Sequence, residues 1–110
     1  MNEATTVAGQ GVALGALAQI TAAFGHLPAA CFDINDVYPD RVQISVHDSL
    51  THFEQWRTAL GIPAGAVDYG TLTASMDLTV FGSFAGAEIK LCGFAPLLPV
   101  PVAAAAGGAA

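Results

Sequence analysis

Three histidines, two cysteines and the Asp48-Ser49 pair are the residues here that could do chemistry, and their spacing decides which chemistry is open to them. His47, Asp48 and His52 are the set around which a small metal-dependent hydrolase would be built. Such a centre needs further His or Asp ligands, and the chain has one other histidine, His26, in a Gly-His-Leu-Pro loop. His47 is expected to close a strand and His52 to sit in the first turn of a helix, so the two share no helix face. The ordinary reading is a pair of solvated imidazoles where strand meets helix. Ser49 lies outside any Gly-x-Ser-x-Gly elbow, and its hydroxyl is better used as a helix cap. Cys31 and Cys92 are not expected to have a basic side chain close enough to lower a thiol pKa. Their number and spacing fit neither a disulfide framework nor a metal site. Whether the fold brings them close enough for a single bridge is left open. Asp33 and Asp77 could meet as paired carboxylates only if strand order allowed it. No glycine-rich loop precedes a helix as phosphate binding requires. No metal, cofactor or small-molecule ligand is therefore expected.

Composition narrows the partners. Arg41, Arg57 and Lys90 are the only cations against nine carboxylates, a net charge of −6. Nucleic-acid binders draw their affinity from Lys and Arg on phosphate, so nucleic acid is an unsuitable partner, and an anionic membrane surface is equally so. The carboxylates are scattered singly rather than in the dense rows of a DNA mimic. Val7 to Phe24 carries no charge, and Leu27-Pro-Ala-Ala-Cys31 has the outline of a lipoprotein cleavage site. That would make the chain a secreted lipoprotein through Cys31. Against it, the leader has Glu3 and no cation, and Pro28 stands where such a site takes Leu. As a membrane span the segment is barely long enough and holds Gln10, Gln19 and three glycines. A cytoplasmic protein is the expectation.

The elements that must position these groups follow from periodicity. Leu14, Leu17, Ile20 and Phe24 make an apolar stripe that predicts a helix over Gln10 to Phe24, stopped by Gly25 and Pro28. Phe32 and Ile34 alternate with Asp33 and Asn35, which predicts a strand over Cys31 to Tyr38. Tyr38-Pro-Asp-Arg41 is a turn. Val42, Ile44 and Val46 alternate with Arg41, Gln43 and Ser45 in a second strand ending at His47. Asp48-Ser49 caps a helix whose stripe is Leu50, Phe53, Trp56 and Leu60, with Gly61 and Pro63 as its stop. Tyr69 to Phe81 alternates as one long strand. Phe81 to Gly86 is turn-rich, and Ala87 to Cys92 closes a second hairpin before Phe94 anchors the last strand.

The sum is a single α+β domain over residues 10–95, with a flexible start at 1–9 and a Pro-, Ala- and Gly-rich tail at 96–110. Of 22 alanines, six lie in that tail. The expected fold is a two-layer sandwich in the order helix, strand, strand, helix, strand, strand. Two helices cover one face of a four-stranded antiparallel sheet, in a strand order the sequence leaves open. The uncovered face would be polar and flat. Arg41, Gln43, Ser45, Thr73, Ser75 and Asp77 on it are the expected interaction surface, for a homodimer or another protein partner, directly or through an edge strand. The expectation is a non-enzymatic accessory or interaction domain.

Arg41-Val-Gln-Ile-Ser-Val-His-Asp-Ser-Leu50, followed by Phe53-Glu-Gln-Trp-Arg-Thr-Ala-Leu-Gly-Ile62, resembles a family of short proteins from high-GC actinobacteria and their integrative elements or phages. In these a strand ending in Val-His-Asp leads into a helix bearing Trp-Arg-x-Ala-Leu-Gly. The resemblance covers roughly residues 14–95 and leaves out the tail. The family has no assigned activity, so it lends this chain no functional residues. The bias to Ala, Gly, Val and Pro also fits a high-GC genome.

Overall fold

The computed structural model describes residues 6–47, 49–71 and 75–96. Its elements are helix α1 (Gly11–Ala23), strands β1 (Cys31–Asp33) and β2 (Arg41–His47), and helix α2 (Leu50–Ala59). Strands β3 (Asp68–Thr71), β4 (Ser75–Phe84) and β5 (Ala87–Pro96) follow. The α+β class is as expected, but the sheet has five strands in the order β1-β2-β5-β4-β3, and β2 pairs with β5 in parallel. The stretch expected as one strand from Tyr69 to Phe81 is two, β3 and β4, paired antiparallel. That split explains the parallel pair. One extra reversal of the chain turns β5 to run with β2 instead of against it, so the all-antiparallel sheet of four does not form. β5 takes the middle because Ala87, Ile89 and Leu91 on its inner face are 0–1% exposed.

The first hairpin forms as expected, with β1 antiparallel to β2 and Cys31, Phe32 and Asp33 opposite Ser45, Ile44 and Gln43. The first strand is much shorter than Cys31–Tyr38, however. Asn35 Oδ1 accepts from the backbone N–H groups of Val37 and Tyr38, at 3.0 and 2.9 Å, and this side-chain turn ends the ladder. The Tyr38-Pro-Asp-Arg turn closes with Arg41 N–H donating to the Tyr38 carbonyl at 3.1 Å. The second hairpin is tighter than the glycines suggested. Ala85 and Gly86 both take positive φ, 53° and 84°, and join Phe84 directly to Ala87. Two positive-φ residues match the right-handed twist of the flanking strands.

Both helices pack on the face built by Val42, Ile44, Val46, Leu78, Val80, Ile89 and Leu91. The stripe of α1 is rotated from the expected one. Ala13, Ala16 and Ile20 are buried while Leu14 is 45% exposed, with Leu17 and Phe24 packed at the margin. Small alanines let the helix axis approach the sheet more closely than a leucine stripe would, so they take the contact. Phe53 and Trp56 of α2 are buried as expected, and Leu50 is largely outside. Ser49 Oγ accepts from His52 N–H at 3.0 Å, the cap anticipated from sequence. The far end is a complete Schellman closure on Gly61 at φ +74°. Gly61 N–H donates to the Thr58 carbonyl and Ile62 N–H to the Arg57 carbonyl. Arg57 reinforces it, donating to the Ile62 carbonyl and, through two nitrogens, to Glu54, whose carboxyl it holds below the usual range.

Trp56 ties the layers together. Its indole N–H donates to the Pro28 carbonyl at 2.9 Å, and Phe24 and Phe32 meet its ring edge-on at 6.3 and 5.9 Å between centroids. An aromatic ring whose one polar atom is satisfied packs without a desolvation penalty. Among the described residues no buried side-chain nitrogen or oxygen lacks a partner.

Candidate interaction site on the open sheet face

Cross-strand neighbours share a face, so the register lays out the uncovered side row by row. One row reads Asp33, Gln43, Lys90 and Phe81, and the next Cys31, Ser45, Cys92, Thr79 and Asp68. A third joins His47, Phe94, Asp77 and Gly70, and Arg41, Glu88 and Ser83 form a fourth. Of the expected surface residues, Arg41, Gln43, Ser45 and Asp77 fall on this face. Thr73 lies outside the described residues, as do Asp48 and residues 97–110 of the expected tail. Ser75 begins β4.

The face is less polar than expected. Phe81 is 47% and Phe94 37% exposed on it. Phe94 is therefore no core anchor; β5 continues to Pro96 and presents the ring outward, against His47, with centroids 5.2 Å apart and planes 15° from parallel. The signal for both rings was in the alternation: Phe81 continues Thr79, and Phe94 continues Lys90 and Cys92. Reading residues 81–86 as turn and residue 94 as anchor obscured it.

Arg41 is pinned rather than free. Its Nε donates to Glu88 Oε1 at 2.6 Å, and the guanidinium lies 3.9 Å from the Tyr38 ring centroid and 5.2 Å from that of Phe81. Guanidinium over aromatic faces is a favourable electrostatic arrangement. Its side chain is 17% exposed, so it serves as a strut between the loop before β2 and the sheet. Glu88 is 47 residues away in sequence, which is why local reading could not pair them. Gln43 Nε2 approaches Ser45 Oγ at 3.5 Å along the same strand. Asp77 lies across the bare backbone of Gly70, where a Cβ would strike its carboxylate.

Cys31 and Cys92 lie in one row with Ser45 between them. Two strand spacings of about 4.8 Å put their Cα atoms roughly 10 Å apart, beyond the ~7 Å a disulfide can span. Both thiols are free. Cys31 is exposed on the edge strand. Cys92 is 5% exposed, and burial pushes its thiol up, against smaller opposing effects of Lys90 and a Thr79 hydrogen bond. Since thiolate is the reacting form, a thiol reagent is expected to modify Cys31 in the folded protein at least about tenfold faster than Cys92, with the two equal after denaturation. Equal rates in the folded state would mean that the centre of the face is open to solvent.

Among the described residues, no three His, Cys, Asp or Glu side chains gather as a metal site. His47 stacks on Phe94, and His52 is exposed on α2. Hollows of about 250 Å³ beside Arg41 and about 290 Å³ beside Cys31 and His47 are shallow clefts at the margins of the face. No helix among the described residues is long and apolar enough to cross a membrane.

Fold and site together define a two-layer α+β domain with one sheet face that no described element covers. No protein-family model matches the chain, and no curated protein or solved structure is detectably similar to it.

Proposed function

We propose that this chain is a non-enzymatic interaction module whose working surface is the open sheet face. The observation that carries the reading is the pair of half-exposed rings, Phe81 and Phe94, on a sheet face that no described element of the chain covers. Exposed rings on a rigid, flat scaffold are what a protein interface uses as anchors, because burying them gains apolar area while freezing few torsions. Arg41, already held by Glu88 and Tyr38, stiffens the surface beneath them. The reaction centres weighed from sequence gain no support from their surroundings: Cys92 is screened, and His47 is occupied by its stack.

The test is a photo-reactive phenylalanine analogue introduced at position 81, in cells making the protein at natural levels. Irradiation is expected to give discrete covalent adducts, absent when the same analogue replaces Thr51, exposed on α2. Absence of adducts at position 81, or the same adducts at both positions, would overturn the reading.

A further inference from the structure

We propose that the open face takes an arginine from a different protein, a basic segment whose guanidinium enters between the Phe94 ring and the Asp77 carboxylate. This deepens the interaction-module reading and rests on it. The ground is a pairing that the chain builds twice. Arg41 is held by a ring and a carboxylate together: its guanidinium lies 3.9 Å from the Tyr38 centroid while its Nε donates to Glu88 at 2.6 Å. Phe94 and Asp77 repeat that pairing without a cation. They are cross-strand neighbours on β5 and β4. One face of the Phe94 ring is taken by His47 of β2, with planes 15° apart. The opposite face therefore looks along the row toward Asp77. The Asp77 carboxylate leans away from it, over the bare backbone of Gly70 on β3. Ring face and carboxylate are thus parted by more than the ~4.8 Å between strands. Both present negative potential to that gap, and a cation placed in it satisfies both.

None of the chain's own three cations reaches the gap. Arg41 is bound to Glu88, and Arg57, on α2 at the covered side of the sheet, is bound to Glu54. Lys90 is four residues up β5 from Phe94, about 13 Å along the strand. Asp77 forms no ion pair among the described residues. A second copy brings the same three cations and no arginine to spare, so the donor is a different protein.

Charge selects the same partner. Across its five strands the open face holds two cations, Arg41 and Lys90, against four carboxylates, Asp33, Asp68, Asp77 and Glu88, a net charge of −2. The whole chain stands at −6, so a basic segment is drawn toward it while nucleic acid is repelled. Asp68, one row from Asp77 on the edge strand, offers that segment a second carboxylate. The gap suits a guanidinium better than an ammonium. A guanidinium lies flat on a ring and donates from its edge to a carboxylate, whereas a lysine ammonium is a strongly hydrated point charge.

The experiment is a nitrogen–proton correlation NMR titration of the isotope-labelled full chain. The probe is the end-blocked peptide Gly-Gly-Arg-Gly-Gly, with its lysine and citrulline counterparts alongside. The arginine peptide is expected to give saturable shifts centred on Phe94, Asp77 and Gly70, with Kd on the order of 1 mM, since one side chain is only part of an interface. The lysine peptide is expected to bind at least about threefold more weakly, and the neutral citrulline peptide at least about fivefold. Asp77→Asn is expected to weaken the arginine peptide at least about fivefold and Phe94→Leu about threefold. Asp36→Asn removes the same charge from the exposed loop before β2 and is expected to leave affinity within about twofold. No shifts at about 10 mM peptide, equal binding of arginine and citrulline, or equal losses from Asp36→Asn and Asp77→Asn overturn the proposal. Should Asp77→Asn fail to fold by circular dichroism, unchanged affinity in a folded Phe94→Leu protein counts equally against it. The two readings fail separately. Adducts at position 81 alongside a peptide that does not bind at Phe94 remove the arginine site alone. Absence of adducts at position 81 removes the face as a working surface, and the proposal with it.

Discussion

Phe53→Ala is expected to cost about 3–5 kcal/mol, enough to leave much of the protein unfolded at ordinary temperature. Phe53 is 0% exposed and sits where α2 crosses β5. Truncation removes its transfer free energy and leaves a cavity that the surrounding sheet cannot fill, because Leu78, Ile89 and Leu91 are held by ladders on both sides. Urea denaturation followed by the fluorescence of Trp56, the only tryptophan, reports it directly. A loss under about 1 kcal/mol would mean that α2 is not packed on β5 as described.

Gly93→Val is expected to be nearly as damaging, about 3 kcal/mol, for the opposite reason. A Cβ at position 93 would stand 2.6 Å from Phe53 Cδ1 and 3.3 Å from Leu78 Cδ1. Phe53 is seated in a notch that glycine alone leaves open. Here the overpacked strand has no slack, since Gly93 is paired to Val46 on one side and Leu78 on the other. The two substitutions are expected to be strongly non-additive: with Phe53→Ala in place, the larger side chain at position 93 enters vacated space and its cost falls by more than half. Additive losses in a double-mutant cycle would contradict direct contact between the two sites.

The notch also explains where reading the chain succeeds and where it stops. Arg41 to Gly61 was legible because each feature is local. Alternation in β2, the Ser49 cap, the Phe53–Trp56 spacing and the Gly61 stop all lie within a turn or two of what they control. Gly93 gave no sign of its role, because the residue that needs it is 40 positions earlier. The rotation of α1 was hidden for a related reason. Leu14 looks a better core residue than Ala13 until the helix-to-sheet distance is known, and that distance is set by the sheet. The number of strands depended on a reversal between β3 and β4, within a stretch whose alternation runs on unbroken. The direction of β5 followed from that reversal. As for the candidate surface, Gln43, Ser45 and Asp77 could be assigned to a face by parity alone. The pinning of Arg41 by Glu88 and the exposure of Phe81 and Phe94 required knowing which strands lie side by side.

The parallel seam between β2 and β5 has a consequence for the way the chain is made. The hairpins β1–β2 and β4–β5 close over short stretches, but Arg41 must wait for Glu88, 47 residues later, before β2 is paired on its inner side. At about 5–20 residues per second, a nascent chain carries β2 with that edge bare for several seconds. Val42, Ile44 and Val46 stand along it, the pattern that invites pairing with the wrong strand. The charged and polar residues between them, Arg41, Gln43 and Ser45, therefore act as guards for β2 during synthesis before they become part of a finished surface.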